Sequence, residues 1–426
     1  MRVAVVAEWY PSRVDAVHGV WAHRQAIAAR DAGAEVRVIA ARRPVPPLAV
    51  ARRGPRALTA WLRDLRALLA PWELDRIPVD TALFVSPPRP LSYGAWGYWL
   101  APSLARSLDL LHARWPFDVL HAHCVTPSGY AAARWLASRS CGWRSPAPPR
   151  APGSRSGGNL NVSALVVSAH GPDVISVHAR SPFARKATRV ALETADLVVA
   201  NSSWAAIRCE AIAGHELPTA VVHLGADIPG NMPVRHKRRT IVTLGHLVAR
   251  KRHAVVLHAL AAIPESERPD YLVIGDGPGR EPLARLAREL GLAQRVRLVG
   301  QLEHQRALTE LARCHLFVMA SVEEPFGVAY VEAMAAGLPV IAARGEGGPA
   351  DISAAGAGMV LVAPDDHRAL AAVITTALRD PARLEALGAG ARQTVARHFT
   401  WASCGERTLA AYERALGAGH MKSALR

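Results

Sequence analysis

Short apolar strands alternate with amphipathic helices along almost the whole chain, and this alternation restricts the fold more than any other feature of the sequence. Examples are "RVAVVAE" (2–8), which precedes a helix predicted from about Val20 to Arg30, and "TIVTLGHL" (240–247). Valine- and isoleucine-rich runs separated by helices are typical of parallel sheets covered on both faces. The pattern predicts an α/β fold.

The number of such runs predicts two domains. About eleven apolar strands are too many for one ordinary sheet, so we expect two Rossmann-like domains. The first covers residues 1–228 and the second covers 235–395. Residues 140–161 interrupt the first set with proline, serine, glycine and arginine, which predicts a flexible surface insertion.

Composition excludes several classes of protein. No apolar run in the 426 residues reaches the roughly 20 residues of a membrane span. The N-terminus does not have the pattern of a secretion signal. The five cysteines are scattered, which favours reduced thiols in the cytoplasm over a disulfide framework or a zinc site. We therefore expect a cytoplasmic protein.

The formal net charge of +16 has two interpretations. It reflects either a genome that favours arginine or a basic surface that meets an anionic membrane or acceptor. The stretch 51–72 supports the second, because apolar residues recur there at helical intervals with Arg63 and Arg66 on the flanks. This apolar face comprises Leu58, Trp61, Leu62, Leu65, Leu68 and Leu69. A helix that faces the protein core remains the alternative. No nucleic-acid-binding module is recognisable.

Ligands of parallel sheets collect beyond the carboxyl ends of the strands, so polar motifs at those positions are candidate sites. "GDGPGR" (275–280) is not a dinucleotide fingerprint, because Arg280 stands where the third glycine belongs. His121 and His123 form an HxH pair without a third ligand at a supporting interval, so a metal site is not predicted.

The stretch "EEPFGVAYVEAMAAGLPVI" (323–341) carries the most specific chemistry. A helix that begins near Phe326 or Gly327 offers backbone N–H groups and a positive dipole end to phosphate. Glu324, just before this helix, suits sugar hydroxyls, and Glu332 on its second turn suits a ribose. Together they describe a nucleotide-sugar site. The alternative is a capping acid followed by a paired, partly buried glutamate.

At these residues the chain resembles the retaining glycosyltransferases of the "group 1" type, family 4. The resemblance runs from about Arg2 to Cys404, without part of 42–115 and without the insertion at 140–161. The most specific element is the pair Glu324 and Glu332 with seven residues between them. The supporting matches are "LGHLVARK" (244–251), "GDGP" (275–278), "VRLVGQL" (296–302), "VSAHGPD" (167–173) and "HLGAD" (223–227). The resemblance implies the GT-B fold, with two parallel-sheet domains facing a central cleft and a last helix, 396–420, packed back toward the first domain.

The resemblance also implies roles for residues of the second domain. Glu324 would bind hydroxyls of the donor sugar, and Glu332 would hold the ribose. Lys251 would neutralise the departing diphosphate. The implied remainder of the donor site comprises Phe326, the backbone N–H groups of Gly327 and Val328, and Leu302 against the base.

The remaining implied residues include two departures from the family pattern. His170 would face the reacting sugar, and Gly19 would border the phosphates, although relatives often have a glycine pair there. His246 occupies the place of a family arginine, and a neutral imidazole does not supply the bidentate charge of a guanidinium. Arg250 or Arg252 is expected to compensate.

The expected activity is transfer of a sugar from a nucleotide diphosphate to a hydroxyl acceptor with retention, without a metal or another cofactor. The products would be glycolipids, cell-surface polysaccharides or glycosylated metabolites, made in the cytoplasm or at the inner membrane face. A non-catalytic nucleotide-sugar-binding subunit and an epimerase or phosphorylase on the same fold remain alternatives. The base, the sugar, the acceptor and the oligomeric state are open.

Overall fold

The computed structural model describes residues 1–12, 17–45, 53–67, 71–87, 92–140, 162–171 and 173–424. The chain folds into two compact units. The first comprises residues 1–201, 205–222 and 404–426, and the second comprises 202–204 and 223–403. Each unit contains a largely or wholly parallel sheet with helices, so the predicted α/β class with two Rossmann-like domains is confirmed.

The first unit contains an eight-stranded sheet in the order β3-β4-β2-β1-β5-β6-β7-β8. Its strands are β1 (Arg2–Ala7), β2 (Glu35–Arg42), β3 (Trp72–Leu74), β4 (Ile77–Leu83), β5 (Val119–His123), β6 (Ala164–Ala169), β7 (Leu197–Ala200) and β8 (Thr219–Val221). Its helices are Val20–Asp31, Pro55–Ala67, Trp96–Arg114, Tyr130–Ser140, Pro182–Thr194 and Ser203–Ala213, together with most of Trp401–Ala424. All neighbouring strands are parallel except β3 and β4.

The second unit contains a six-stranded parallel sheet in the order β11-β10-β9-β12-β13-β14. Its strands are β9 (Thr240–Leu244), β10 (Asp270–Ile274), β11 (Val296–Gly300), β12 (Leu316–Met319), β13 (Val340–Ala343) and β14 (Met359–Val362). Its helices are His253–Ala262, Arg280–Glu289, His304–Ala312, Val328–Ala335, Gly347–Ala355, His367–Arg379 and Pro381–His398. β9 and β12 are neighbours, so the loops that follow them lie side by side at the carboxyl edge.

Three strands of the first unit, β3, β4 and β8, were not predicted from the sequence. β3 and β4 form an antiparallel hairpin whose turn residues, Asp75 and Arg76, both have positive φ angles, of 47° and 63°. This turn type is usually marked by asparagine or glycine, which are absent here. β8 has only three residues and lies at the sheet edge. Short edge strands carry little hydrophobic periodicity, which explains the omission.

The basic stretch 51–72 forms a helix over Pro55–Ala67, followed by β3. None of the described side chains of this helix is buried, and Leu58 and Leu62 are 37% and 42% exposed. A helix that faces the core is therefore not what the structure shows for these residues. Leu68 and Leu69 of the predicted apolar face lie outside the described residues, as do residues 141–161 of the predicted insertion.

Within the described ranges, no helix combines the length and the apolarity that crossing a bilayer requires.

His121, on β5 of the first unit, is completely buried. Its Nδ1 lies 2.8 Å from the hydroxyl of Tyr412, on the last helix, and its Nε2 lies 2.7 Å from Oγ of Ser168 on β6. Both ring nitrogens are thus paired inside the unit. Burial lowers the pKa of His121 to about 3, so the imidazole is neutral in the folded protein.

The neutral state of His121 makes stability depend on pH. Below about pH 6.5 the unfolded chain takes up a proton at this residue that the folded protein does not, so stability present above that pH is lost as pH falls toward 3. We expect His121→Gln, which does not titrate, to flatten the dependence by up to about 1.4 kcal/mol per pH unit. Urea unfolding between pH 7 and pH 4 measures it (roughly the window set by the two pKa values), and equal slopes would contradict the expectation.

Candidate active site

The centre of the candidate site is a buried ion pair in the second unit. Lys251 lies in a short turn that follows β9, and its Nζ donates to Oε2 of Glu324, which follows β12. Lys251 is 9% exposed and Glu324 is 5% exposed. Because β9 and β12 are neighbours, the sheet brings together two residues that are 73 positions apart.

The hydrogen bonds of Glu324 are unevenly divided between its two oxygens. Lys251, Arg250 at 3.5 Å and the hydroxyl of Ser321 at 3.1 Å all donate to Oε2. Among the described residues, Oε1 receives no hydrogen bond. Burial would raise the pKa of Glu324, but Lys251 and Arg250 outweigh it and lower the pKa. The carboxylate is therefore ionised, and its Oε1 is available to a hydroxyl of a ligand.

Lys251 has a shifted pKa as well. Burial lowers its pKa from the usual value, and the charge of Glu324 opposes this effect. A buried ammonium group is stabilised mainly by its partner, so Lys251 and Glu324 depend on each other.

The helix Val328–Ala335 begins beside this pair. Gly327 is its N-cap residue, with φ of 81°, and no side chain caps the first turn. A Cβ atom at position 327 would lie 2.5 Å from Cδ2 of Tyr330, so glycine is required both by the backbone conformation and by space. Phe326, which is 1% exposed, stacks on His223 at a centroid distance of 5.6 Å. The start of this helix is thereby fixed.

Further buried groups hold the loop that carries Glu324. The hydroxyl of Tyr330 donates to the carbonyl of Met319 at 2.9 Å and lies 2.7 Å from Oγ of Ser321. The backbone N–H of Glu324 donates to Oε2 of Glu346 at 2.8 Å. Burial raises the pKa of Glu346, and the charge of Glu324 adds to this effect.

Glu332 lies one turn further along the same helix and contacts a histidine. Its Oε1 is 3.4 Å from Nε2 of His304, the first residue of the helix His304–Ala312. The side chain of Glu332 is 12% exposed. Leu302, two residues before His304, is half-buried in the connection after β11.

The structure separates the two arginines that were expected to compensate for His246. Arg250 contacts Glu324, whereas Arg252 pairs with Asp365, with 3.0 Å between Nε and Oδ1. His246 is exposed in the connection after β9. Arg250 is therefore the guanidinium next to the central ion pair.

The glycines of "GDGPG" have a structural use in this unit. A Cβ atom at Gly275 would lie 2.0 Å from the carbonyl oxygen of Gly245, so the loops after β9 and β10 touch through their backbones. The backbone N–H of Gly279 donates to the carbonyl of Leu247 at 2.9 Å. These glycines thus allow the loops to pack closely next to Lys251. A similarity to the dinucleotide fingerprint does not indicate this structural role.

The two predicted residues of the first unit, His170 and Gly19, also lie at helix or strand ends. His170 follows β6, and its Nε2 is 2.9 Å from Nδ1 of His123. Gly19, with φ of 75°, precedes the helix Val20–Asp31 and lies against the backbone of Trp9.

Four residues around the candidate site were not found from the sequence: Ser321, Tyr330, Glu346 and His304. Tyr330 could have been predicted from the sequence, because it lies three residues after Gly327 and residues at this spacing are neighbours on a helix. Glu346 and His304 come from other loops, and nothing in their local sequence marks them. Within the described part of the chain, no group of three or more histidine, cysteine or acidic side chains is arranged to hold a metal ion.

Comparison with known proteins agrees with the family resemblance. Residues 227–394 match the family described as Glycosyl transferases group 1. D-inositol 3-phosphate glycosyltransferase 1 of Catenulispora acidiphila is 30% identical over an alignment of 372 positions, which covers 78% of this chain and 80% of that protein. The chain belongs to the group 1 glycosyltransferases.

A second relative and two solved structures extend the comparison. A GDP-mannose-dependent monoacylated alpha-(1-6)-phosphatidylinositol monomannoside mannosyltransferase of Corynebacterium glutamicum is 27% identical, with 71% of this chain and 84% of that one covered. Sucrose-phosphate synthase from Thermosynechococcus elongatus superimposes with a TM-score of 0.71 and 20% sequence identity, and 100% of this chain and 98% of that chain are covered. Anabaena HepE in complex with UDP and glucose superimposes with a TM-score of 0.66 and 21% sequence identity, and 96% of this chain and 98% of that chain are covered. These similarities place this glycosyltransferase in the GT-B fold class.

The buried pair of this glycosyltransferase gives a stability prediction. We expect Lys251→Met to cost about 3 kcal/mol, because it leaves Glu324 buried with only the more distant Arg250 as a charged partner. Lys251→Met/Glu324→Gln removes both charges and is expected to recover most of the loss. Urea unfolding of the three proteins measures the effect, and a double variant less stable than the single one would contradict it.

Proposed function

We propose that the second unit binds a nucleoside diphosphate sugar and that the protein transfers this sugar to a hydroxyl acceptor. One observation carries the proposal: in the described part of the chain, Glu324 is held by three donors at Oε2, while Oε1 receives none, and the neighbouring helix start has no side-chain cap. The carboxylate oxygen suits a sugar hydroxyl, and the helix start suits a diphosphate. Complexes of Anabaena HepE with UDP and with UDP-glucose support a donor of this class.

In the proposed complex, Glu324 binds a hydroxyl of the donor sugar through Oε1. The backbone N–H groups of Gly327 and Val328 bind the diphosphate, and Lys251 and Arg250 neutralise it. Glu332 holds the ribose, and the backbone near Leu302 contacts the base. Phe326 fixes the helix start, whereas His246 borders the diphosphate without a fixed charge.

The proposed reaction breaks the bond between C1 of the sugar and a phosphate oxygen. Negative charge then develops on the diphosphate, where Lys251, Arg250 and the helix dipole stabilise it. The acceptor oxygen attacks C1 from the face that the diphosphate leaves, and a phosphate oxygen takes the acceptor proton, which retains the anomeric configuration. His170 donates or accepts a hydrogen bond at the transferred sugar, and Gly19 lies near the phosphates. We propose that no metal and no further cofactor takes part.

We further propose that the acceptor belongs to glycolipid or cell-surface polysaccharide synthesis, at the cytoplasmic face of an anionic membrane. The curated relative from Corynebacterium glutamicum is named for a phosphatidylinositol mannoside substrate. The helix Pro55–Ala67 supports membrane contact, because Leu58 and Leu62 are exposed beside several arginines.

Donor binding is testable by isothermal titration with UDP, GDP, ADP, dTDP and their sugar conjugates. We expect one base to be preferred. Glu324→Gln should lower the affinity for the nucleotide sugar by about tenfold relative to the affinity for the bare diphosphate, because Oε1 contacts only the sugar, whereas any effect through Lys251 is common to both ligands. Glu332→Gln should weaken both.

The outcomes of this titration separate the alternatives. Binding without transfer to any acceptor would favour a non-catalytic partner subunit, and a change of the sugar without transfer would favour an epimerase. No binding of any nucleotide would contradict the donor site.

Membrane contact is testable by sedimentation with vesicles of phosphatidylcholine alone or mixed with phosphatidylserine. We expect Leu58→Asp/Leu62→Asp to weaken binding to the anionic vesicles by about tenfold or more, because it replaces apolar surface with charge. Ile207→Asp is the matched control, since Ile207 is an apolar side chain of the first unit that is 62% exposed. Equal binding of both variants would contradict a role for this helix.

A further inference from the structure

His170 of the first unit is held on one side by a tryptophan, Trp21, and by a second histidine, His123. Its Nε2 lies 2.9 Å from Nδ1 of His123, the last residue of β5, and the two rings are inclined by only 9°. The ring of Trp21 lies against His170, with 4.1 Å between centroids. These contacts fix the plane of the imidazole and occupy one of its two nitrogens.

The backbone of His170 is fixed as well. Oδ1 of Asp173 accepts from the N–H groups of His170, at 3.3 Å, and of Gly171, at 2.8 Å. The carbonyl of His170 accepts from Nδ2 of Asn201 at 3.1 Å. The remaining polar atom of the residue is the ring Nδ1, which is buried and has no hydrogen-bond partner among the residues that the structure describes.

The protonation state of the two rings follows from their burial. Burial lowers the pKa of His170 to about 3 and holds the pKa of His123 well below its ordinary value. A neutral imidazole carries one N–H, so in a hydrogen bond between two neutral rings one nitrogen donates and the other accepts. The bond to His123 therefore couples the tautomers of the two rings, because the nitrogen that donates on one ring requires an unprotonated nitrogen on the other.

We propose that His123 is a positioning residue, whose hydrogen bond holds His170 in a single neutral tautomer and leaves Nδ1 of His170 for a hydroxyl of the transferred sugar. The proposal rests on the proposed function of His170. His121 provides the contrast. It lies 4.4 Å from His123 by ring centroids, but Tyr412 and Ser168 occupy both of its nitrogens. His121 therefore has no nitrogen left for a ligand.

Steady-state kinetics test this inference in the full chain. We expect His123→Leu to lower kcat by about tenfold to a hundredfold, as when an orienting partner of a histidine is removed. The KM for the donor should change less than about twofold, because the nucleotide does not contact His170. His123→Asn places an amide near the position of Nδ1 and should restore most of kcat. His121→Gln is the matched control and should retain kcat.

His170→Ala separates the two proposals. If it retains full activity, the proposed role of His170 is wrong. If it loses activity while His123→Leu retains wild-type kcat, the positioning role of His123 is overturned and the proposed function stands.

Nitrogen-15 NMR of histidine-labelled protein provides a readout that does not require a folded variant at position 123. His170→Gln assigns the signal. The wild-type protein should show His170 as one neutral tautomer, and a rapidly exchanging mixture or a protonated ring would overturn the inference. Where His123→Leu folds, it should show the mixture.

Discussion

The second unit is organised around one buried charge pair. Removing Lys251 and Glu324 from water is unfavourable unless they stay paired, so the turn after β9 and the loop after β12 are fixed relative to each other. Ser321 and Tyr330 are then arranged around the same carboxylate, and Tyr330 requires glycine at position 327. The position of the helix start thus follows from the need to neutralise one buried carboxylate.

The first unit stabilises its buried polar groups in a different way. His121, His123 and His170 are neutral in the folded protein, and each pairs with an uncharged group. Asp173 is buried and accepts hydrogen bonds from three backbone N–H groups. These bonds lower the pKa of Asp173, but burial raises it by more. Neutral hydrogen-bonded groups avoid the desolvation cost of buried ions. Their hydrogen bonds still fix the tautomers and rotamers of the side chains, as an ion pair fixes its two partners.

The sequence was sufficient for the fold class and for placing Glu324 just before a helix that carries Glu332, because both depend on local patterns. Parallel strands have dense apolar runs, and Glu324 and Glu332 are only eight positions apart. The contacts of His304 and Glu346 depend on which loops become neighbours at the sheet edge, which no local pattern encodes. The same holds for Arg250 and Arg252, which are two positions apart but pair with different carboxylates, Glu324 and Asp365.

Glu324 and His170 show a common property despite their different charge. In each, one polar atom of the side chain is fixed by the protein, and the other, Oε1 or Nδ1, has no partner among the described residues. A ligand hydroxyl that reaches such an atom replaces a lost interaction with water, whereas a sugar without that hydroxyl leaves a polar group unpaired. Sites built in this way reject the deoxy analogue far more strongly than an apolar pocket rejects an added group. The selectivity of this enzyme for its sugar would therefore depend on the hydroxyls that are present more than on the size of the ring.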